Sequence, residues 1–152
     1  ASDVGAAGII IPDLPLEETT QFSQIANDFN LDLVLLIAPT TPLGRMKEIS
    51  TRTKGFSYLV SVTGVTGERN KLENRVENLI GQLKEISSNP IAVGFGISSP
   101  EHIIKVRKWG ADGVIIGSAF VKRISDSNDS QIVNEVGKFC SEMRSAADVI
   151  ID

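Results

Sequence analysis

The chain has 152 residues, a formal net charge of −4, one cysteine and basic residues dispersed along its length. That is enough for one domain with a real core, and the acidic balance gives no electrostatic ground to expect nucleic acid or an anionic membrane as partner. A lone Cys140 leaves no internal disulfide, which fits a reducing compartment, and no apolar run approaches the ~18 residues of a membrane span.

Apolar runs and amphipathic segments alternate from the first residues. Ala1-Ser2-Asp3-Val4 carries no initiator Met and no signal-peptide pattern, so the chain reads as beginning inside a longer one. Residues Gly8 to Ile11 form a short buried-strand run, and Phe22, Ile25, Ala26 and Phe29 follow at the spacing of one helix face. Leu33 to Ala38 is almost wholly apolar, as a parallel strand covered on both faces should be. Thr41-Pro42 supplies an N-cap and a first-turn proline, and Leu43, Met46 and Ile49 form the inner stripe of the next helix. Phe56 to Ser61 is the third strand, followed by a longer polar segment from Val62 to Lys71. The next helix carries Leu72, Val76, Leu79, Ile80, Leu83 and Ile86 and ends at Asn89-Pro90. Ile91 to Phe95 is the fourth strand. Ser98 and Glu101 have capping-box spacing, with Ile103, Ile104 and Val106 inward and Gly110 as the stop. Asp112 to Ile116 is the fifth strand, Ser118 to Ile124 a short helix, Ser125 to Ser130 a polar connector. The last helix shows Ile132, Val136, Phe139, Cys140 and Met143, which places Cys140 on its packed face. Five strands alternating with helices predict a single α/β domain over residues 1–152 with a parallel sheet and right-handed crossovers.

Two strand ends carry chemistry. Gly94-Phe95-Gly96-Ile97-Ser98 and Gly117-Ser118 each close a β-branched run and open a helix. Helix N-terminal amides bind phosphate, and glycine lets a ligand approach the main chain. In a (β/α)8 barrel such sites follow strands 7 and 8. Gly64-Val65-Thr66-Gly67, in the longest internal loop, is a turn or a lid whose amides reach a phosphate. Tyr58 shares a strand face with Phe56 and Val60, compatible with core packing and with contact to an aromatic substrate at a barrel mouth. Asp13, just after the first strand, is placed for catalysis, helix capping or a partner contact. Glu17 and Glu18 need no more than the helix dipole to explain them. His102 has no second ligand at metal spacing and reads as solvated, Trp109 packs a helix end, and no metal motif, dinucleotide fingerprint or nucleophile elbow is present.

Taken together, Pro12-Asp13-Leu14-Pro15-Leu16-Glu17-Glu18, Ala38-Pro39-Thr40-Thr41-Pro42, Tyr58-Leu59-Val60-Ser61, Gly64-Val65-Thr66-Gly67, Gly94-Phe95-Gly96-Ile97-Ser98 and Gly113 to Lys122 resemble the α subunit of tryptophan synthase, in its cyanobacterial and plant-like wording. The segments fall in the family's order and span nearly the whole chain. The resemblance implies a partial (β/α)8 TIM barrel, strands 4 to 8, of a lyase of tryptophan biosynthesis. That enzyme cleaves indole-3-glycerol phosphate to indole and glyceraldehyde 3-phosphate by a retro-aldol reaction. It implies that Gly67, Gly96, Gly117 and Ser118 hold the phosphate, that Tyr58 and Phe95 line the indole pocket, and that Gly64 and Thr66 belong to a lid. Asp13 and Pro15 then face a partner, the β subunit of an α2β2 complex, which carries pyridoxal phosphate; the α chain itself uses no cofactor and no metal.

Two departures follow. Many bacterial members have Arg where this chain has Val62, which alters the anchoring of the lid. The family's catalytic Glu and Asp lie in the first third of the barrel, and no residue of this sequence matches them, so no catalytic residue is assigned. The chain is expected to be inactive alone and to self-associate or fold poorly through unpaired strand edges. The alternative is a non-catalytic half-barrel that binds a phosphate ligand and assembles with a complementary half. Another phosphate-binding barrel, an indole-glycerol-phosphate or ribulose-phosphate enzyme, fits less well because of the Thr66 lid and the Asp13 loop. A cytoplasmic location is expected, with a plastid stroma as the alternative.

Overall fold

Alternation of apolar runs with amphipathic segments gives strands alternating with helices in the computed structural model, which describes residues 1–60, 69–94 and 96–149. The elements in chain order are β1 (Gly8–Ile10), a 3-10 turn (Leu16–Glu18), α1 (Thr19–Asp28), β2 (Asp32–Val34), β3 (Leu36–Ile37), α2 (Leu43–Arg52) and β4 (Ser57–Val60). After these come α3 (Arg69–Ile86), β5 (Ile91–Gly94), α4 (Pro100–Lys108), β6 (Gly113–Val114), α5 (Ser118–Asp126) and α6 (Ile132–Ala147). Every strand pairing is parallel, in the orders β1-β2 and β3-β4-β5-β6.

The second strand expected from sequence is split, and the cause is a side chain. The Leu35 amide donates to the Thr53 hydroxyl at 2.9 Å, and that hydroxyl lies 3.0 Å from the Phe56 carbonyl, to which it donates. At Leu35 the chain therefore changes neighbours, from β1 (Ile10 opposite Val34) to β4 (Leu36 opposite Tyr58). Thr53 is buried, and its hydroxyl satisfies a backbone group that would otherwise be orphaned there.

The core lies between the sheet and its helices. Leu33, Ile37, Leu59, Val93, Val76, Ile80, Leu83, Ile103 and Val106 are almost wholly buried. The opposite face of the sheet, with Leu36, Tyr58, Val60 and Gly94, is only half-buried, since none of the described helices covers it. Gly110 ends α4 as expected, with φ +96° and the Ala111 amide bonded back to the Val106 carbonyl. Asn30 ends α1 in the same left-handed region, at φ 53°.

Several expectations are corrected. The face of α1 bearing Phe22, Ile25 and Phe29 points to solvent (36%, 49% and 57% exposed), and only Ala26 of that set is buried. Among the described residues no strand pairs with the outer edge of β1. Val121, Ile124 and Val133 are likewise exposed on α5 and α6. Leu43, the first residue of α2, is also exposed rather than inward. Cys140 is exposed, the packed face of α6 being Phe139, Met143 and Ala146. The cap of α4 is Ser99, not Ser98, with Pro100 at the first helical position. Thr41 turns inward, its hydroxyl accepting the Ala38 amide at 3.0 Å, so the residue before α2 is Pro42.

Candidate functional site

Parallel strands bring all their C-terminal ends to one end of the sheet, which is where the sequence places its candidates. β5 and β6 are direct neighbours, Val93 opposite Val114, so the turns holding Gly96 and Gly117-Ser118 emerge side by side. Gly96 has φ +48°, a left-handed conformation that side chains rarely adopt, and open space surrounds the position a Cβ would take. Gly117 also faces open space and immediately precedes α5, in which Ser118 is the first residue. The Phe120 and Val121 amides already donate to the Gly117 carbonyl, at 2.9 and 3.2 Å, which leaves the Ser118 and Ala119 amides at the helix start, where the helix dipole adds a partial positive charge. The two turns thus bring two open glycines and one helix N-terminus together at one corner of the sheet.

The start of α4 is braced on one side of that corner. The Ser98 amide donates to Nδ1 of His102 at 3.3 Å, so His102 is half-buried and engaged rather than merely solvated. A hydrogen bond from the Ser99 side chain holds the Glu101 carboxyl below its ordinary pKa. On the other side a crevice of about 610 Å³ runs from Ser98 and Ala119 between α5 and α6 to Gln131 and Glu135.

Tyr58 projects from the uncovered face of β4 beside β5. A Cβ on Gly94 would lie 2.6 Å from both Cε2 and Oη of the Tyr58 ring. The phenol lying against its backbone is enough by itself to require glycine at Gly94, with no ligand needed there. The spacing alone hid this, since the clash needs the β4–β5 register (Val60 opposite Gly94) to become visible.

Asp13 and Pro15 are exposed in the loop after β1, at the same end of the sheet. Behind them a cavity of about 290 Å³ opens between that loop and the ends of β3 and β4, lined by Ile11, Leu14, Leu36, Val60 and Arg45. Glu17 does more than complement a helix dipole. Arg45 of α2 grips both its oxygens, at 3.0 and 3.4 Å, and holds the Glu17 carboxyl below its ordinary pKa. Gly64, Thr66, Gly67, Phe95 and Val62 lie outside the described residues. Among the described residues no group of three His, Cys, Asp or Glu is placed to hold a metal, and no helix is long and apolar enough to cross a membrane.

A family model described as tryptophan synthase alpha chain matches residues 1–148. The chain belongs to the tryptophan synthase alpha chain family. Relatives bearing that description include those of Prochlorococcus marinus subsp. pastoris, 74% identical over 97% of this chain and 53% of that protein, and Trichodesmium erythraeum, 49% identical over 95% of this chain and 54% of that protein. Solved structures agree. A mutant alpha-subunit from Pyrococcus furiosus superimposes with a TM-score of 0.83 at 38% identity, over 95% of this chain and 58% of that one. A tryptophan synthase complex from the same organism gives 0.82 at 35% identity, over 95% and 57%. The chain spans about half the length of the curated relatives it matches. The fold is accordingly α/β, part of a TIM barrel, with the parallel strands alternating with helices as the sequence implied.

Proposed function

We propose that this chain supplies the phosphate grip and part of the indole pocket of an enzyme that cleaves indole-3-glycerol phosphate into indole and glyceraldehyde 3-phosphate. The observation that carries the reading is the pair of open glycine turns, Gly96 and Gly117-Ser118, on adjacent parallel strands in a chain of this family. The phosphate dianion would sit on the first amides of α5 and on the Gly96 turn, with Gly67 completing the grip. The indole ring would lie against Tyr58 and Phe95 on the uncovered face of the sheet, under a lid holding Gly64 and Thr66. Carbon–carbon cleavage also needs an acid–base pair within hydrogen-bond reach of the reacting groups. None of this chain's carboxylates is assigned to it, so the 152 residues are expected to bind without turning over.

In the same reading the chain uses no cofactor. Its partner is a β subunit with pyridoxal phosphate, met through Asp13 and Pro15 in an α2β2 assembly, in the cytoplasm or, alternatively, a plastid stroma. The second reading, a non-catalytic half-barrel, is favoured by the apolar side chains exposed on the helices, Phe22, Ile25 and Phe29 on α1 and Val121 and Ile124 on α5. Calorimetric titration with glycerol phosphate, alone and with a fragment carrying strands 1 to 3 of a Prochlorococcus relative, separates the two. Binding by the chain that Gly117→Asp abolishes supports the phosphate grip, and absence of any binding in both mixtures contradicts it. Activity restored by the added fragment supports the enzyme over the inert half-barrel.

A further inference from the structure

The charged residues of α2 that face the loop after β1 fall at helical spacing, Arg45, Glu48 and Arg52, where an apolar stripe would ordinarily pack. Each arginine holds a different part of that loop. Arg45 makes the two-point contact with Glu17. Arg52 donates through Nη1 to the Leu16 carbonyl at 2.8 Å and to the Thr19 hydroxyl at 2.9 Å, while Nη2 meets Glu48 at 2.6 Å. Leu16 and Thr19 are both buried, and Thr19 itself donates to the Leu16 carbonyl at 2.7 Å. The Leu16 carbonyl is thus held by two side chains, at the residue that begins the 3-10 turn just past Pro15. A planar guanidinium with a fixed fork is suited to such a junction, and a lysine is not.

Few other backbone hydrogen bonds hold the stretch that carries Asp13 and Pro15. Its internal backbone bonds are Leu14 to the Ile11 carbonyl at 3.3 Å and Glu18 to the Pro15 carbonyl at 3.0 Å. Leu16 reaches the core and Ile11 and Leu14 pack against it, but a cavity of about 290 Å³ also opens beneath the loop. A loop spanning a cavity keeps one shape only if its ends are tied, and α2 ties the end that follows Asp13 and Pro15. We propose that Arg45 and Arg52 are positioning residues that hold the loop after β1 in a preformed shape, so that Asp13 and Pro15 meet the β subunit without prior ordering. The proposal rests on the partner assignment above for its functional half and on α2 geometry for its structural half.

Two measurements on the 152-residue chain keep those halves apart. Hydrogen exchange of the Leu14 and Glu18 amides should accelerate ~5-fold or more in Arg52→Ala and by a smaller factor in Arg45→Ala, as expected when a local tie on a low-stability segment is lost. Arg52→Lys should leave most of that acceleration, and the reciprocal pair Glu17→Arg with Arg45→Glu should reverse the effect of either single change. Affinity for a purified tryptophan synthase β subunit should fall by the same factor as the loop's ordered population, since an incompletely populated competent state weakens apparent binding in proportion. Arg144→Ala, which removes a surface pair with Asp148 on α6, is the control and should change neither readout. Unchanged exchange in Arg52→Ala overturns the positioning role outright. Faster exchange with unchanged β-subunit affinity overturns the claim that the loop's order serves docking. A wild-type chain that does not bind the β subunit removes the partner assignment and the docking claim together, while exchange still decides whether the arginines hold the loop.

Discussion

Placing a methyl group on Gly94 tests the site geometry at its tightest point. The added Cβ would stand 2.6 Å from Cε2 and Oη of Tyr58 and 3.0 Å from Cζ, so the ring has to leave its position by roughly an ångström to restore ordinary contact. Overpacking of this kind costs typically ~1–3 kcal/mol, and for a domain of this size each kcal/mol lowers the melting temperature by about 2–4 °C. The cost belongs to the pair and not to the backbone, because Gly94 is an ordinary strand residue whose φ is not in the left-handed region. Tyr58→Leu removes Cζ and Oη and should absorb the Gly94→Ala methyl. A double-mutant cycle by urea unfolding should therefore show a coupling of about 1 kcal/mol or more in the compensating direction. Tyr58 is the only tyrosine, so ring-labelled tyrosine gives one resonance, and Gly94→Ala should shift it. Strictly additive costs in the cycle, or an unmoved tyrosine resonance, would refute the argument that the phenol dictates glycine at this position.

The buried hydroxyls divide by whether they have partners. Thr53→Ala strips the Leu35 amide of its acceptor and should cost about 1–3 kcal/mol in a denaturant midpoint. Ser57→Ala removes a buried oxygen with no partner among the described residues and should be neutral or slightly stabilising. The exposed apolar side chains should make the chain associate with itself, so sedimentation should depend on concentration, and Ile25→Ser with Phe29→Ser should weaken that dependence; a compact monomer at all concentrations contradicts this. The folded-state pKa of Glu17 lies below its ordinary 4.5, chiefly through the Arg45 hydrogen bond. Such a group contributes stability that is fully present above that ordinary value and is lost as pH falls through the lowered one. The stability difference between the wild-type chain and Glu17→Gln should accordingly shrink as pH drops below 4.5, and a difference that grows there contradicts the sign.

Much of the fold was legible because parallel strands buried on one face still read as apolar runs, and Gly8 to Ile11, Phe56 to Ser61 and Ile91 to Phe95 each contain an observed strand. The break at Leu35 was not legible, since Thr53 reaches it from 18 residues away. Periodicity also assigned the α1 stripe to a core, and it is a genuine apolar face. Burial depends on a neighbouring element, and none of the described residues supplies one over Phe22, Ile25 and Phe29. At the site, glycine at strand ends singled out Gly96 and Gly117, which the structure places in open space on the turns of adjacent strands. The ring of Tyr58 against Gly94 was missed because it sits on the adjacent strand, and the Arg45–Glu17 tie because it joins residues 28 apart with no local pattern.

The central claim is that this chain holds the phosphate-gripping part of a lyase and lacks the acid–base pair that would use it. Indole release from indole-3-glycerol phosphate, followed with the purified chain alone and then with strands 1 to 3 of a relative added in excess, tests it most directly. The account predicts no indole from the chain alone and measurable release on complementation, abolished by Gly117→Asp. Steady turnover by the 152 residues unaided would contradict it.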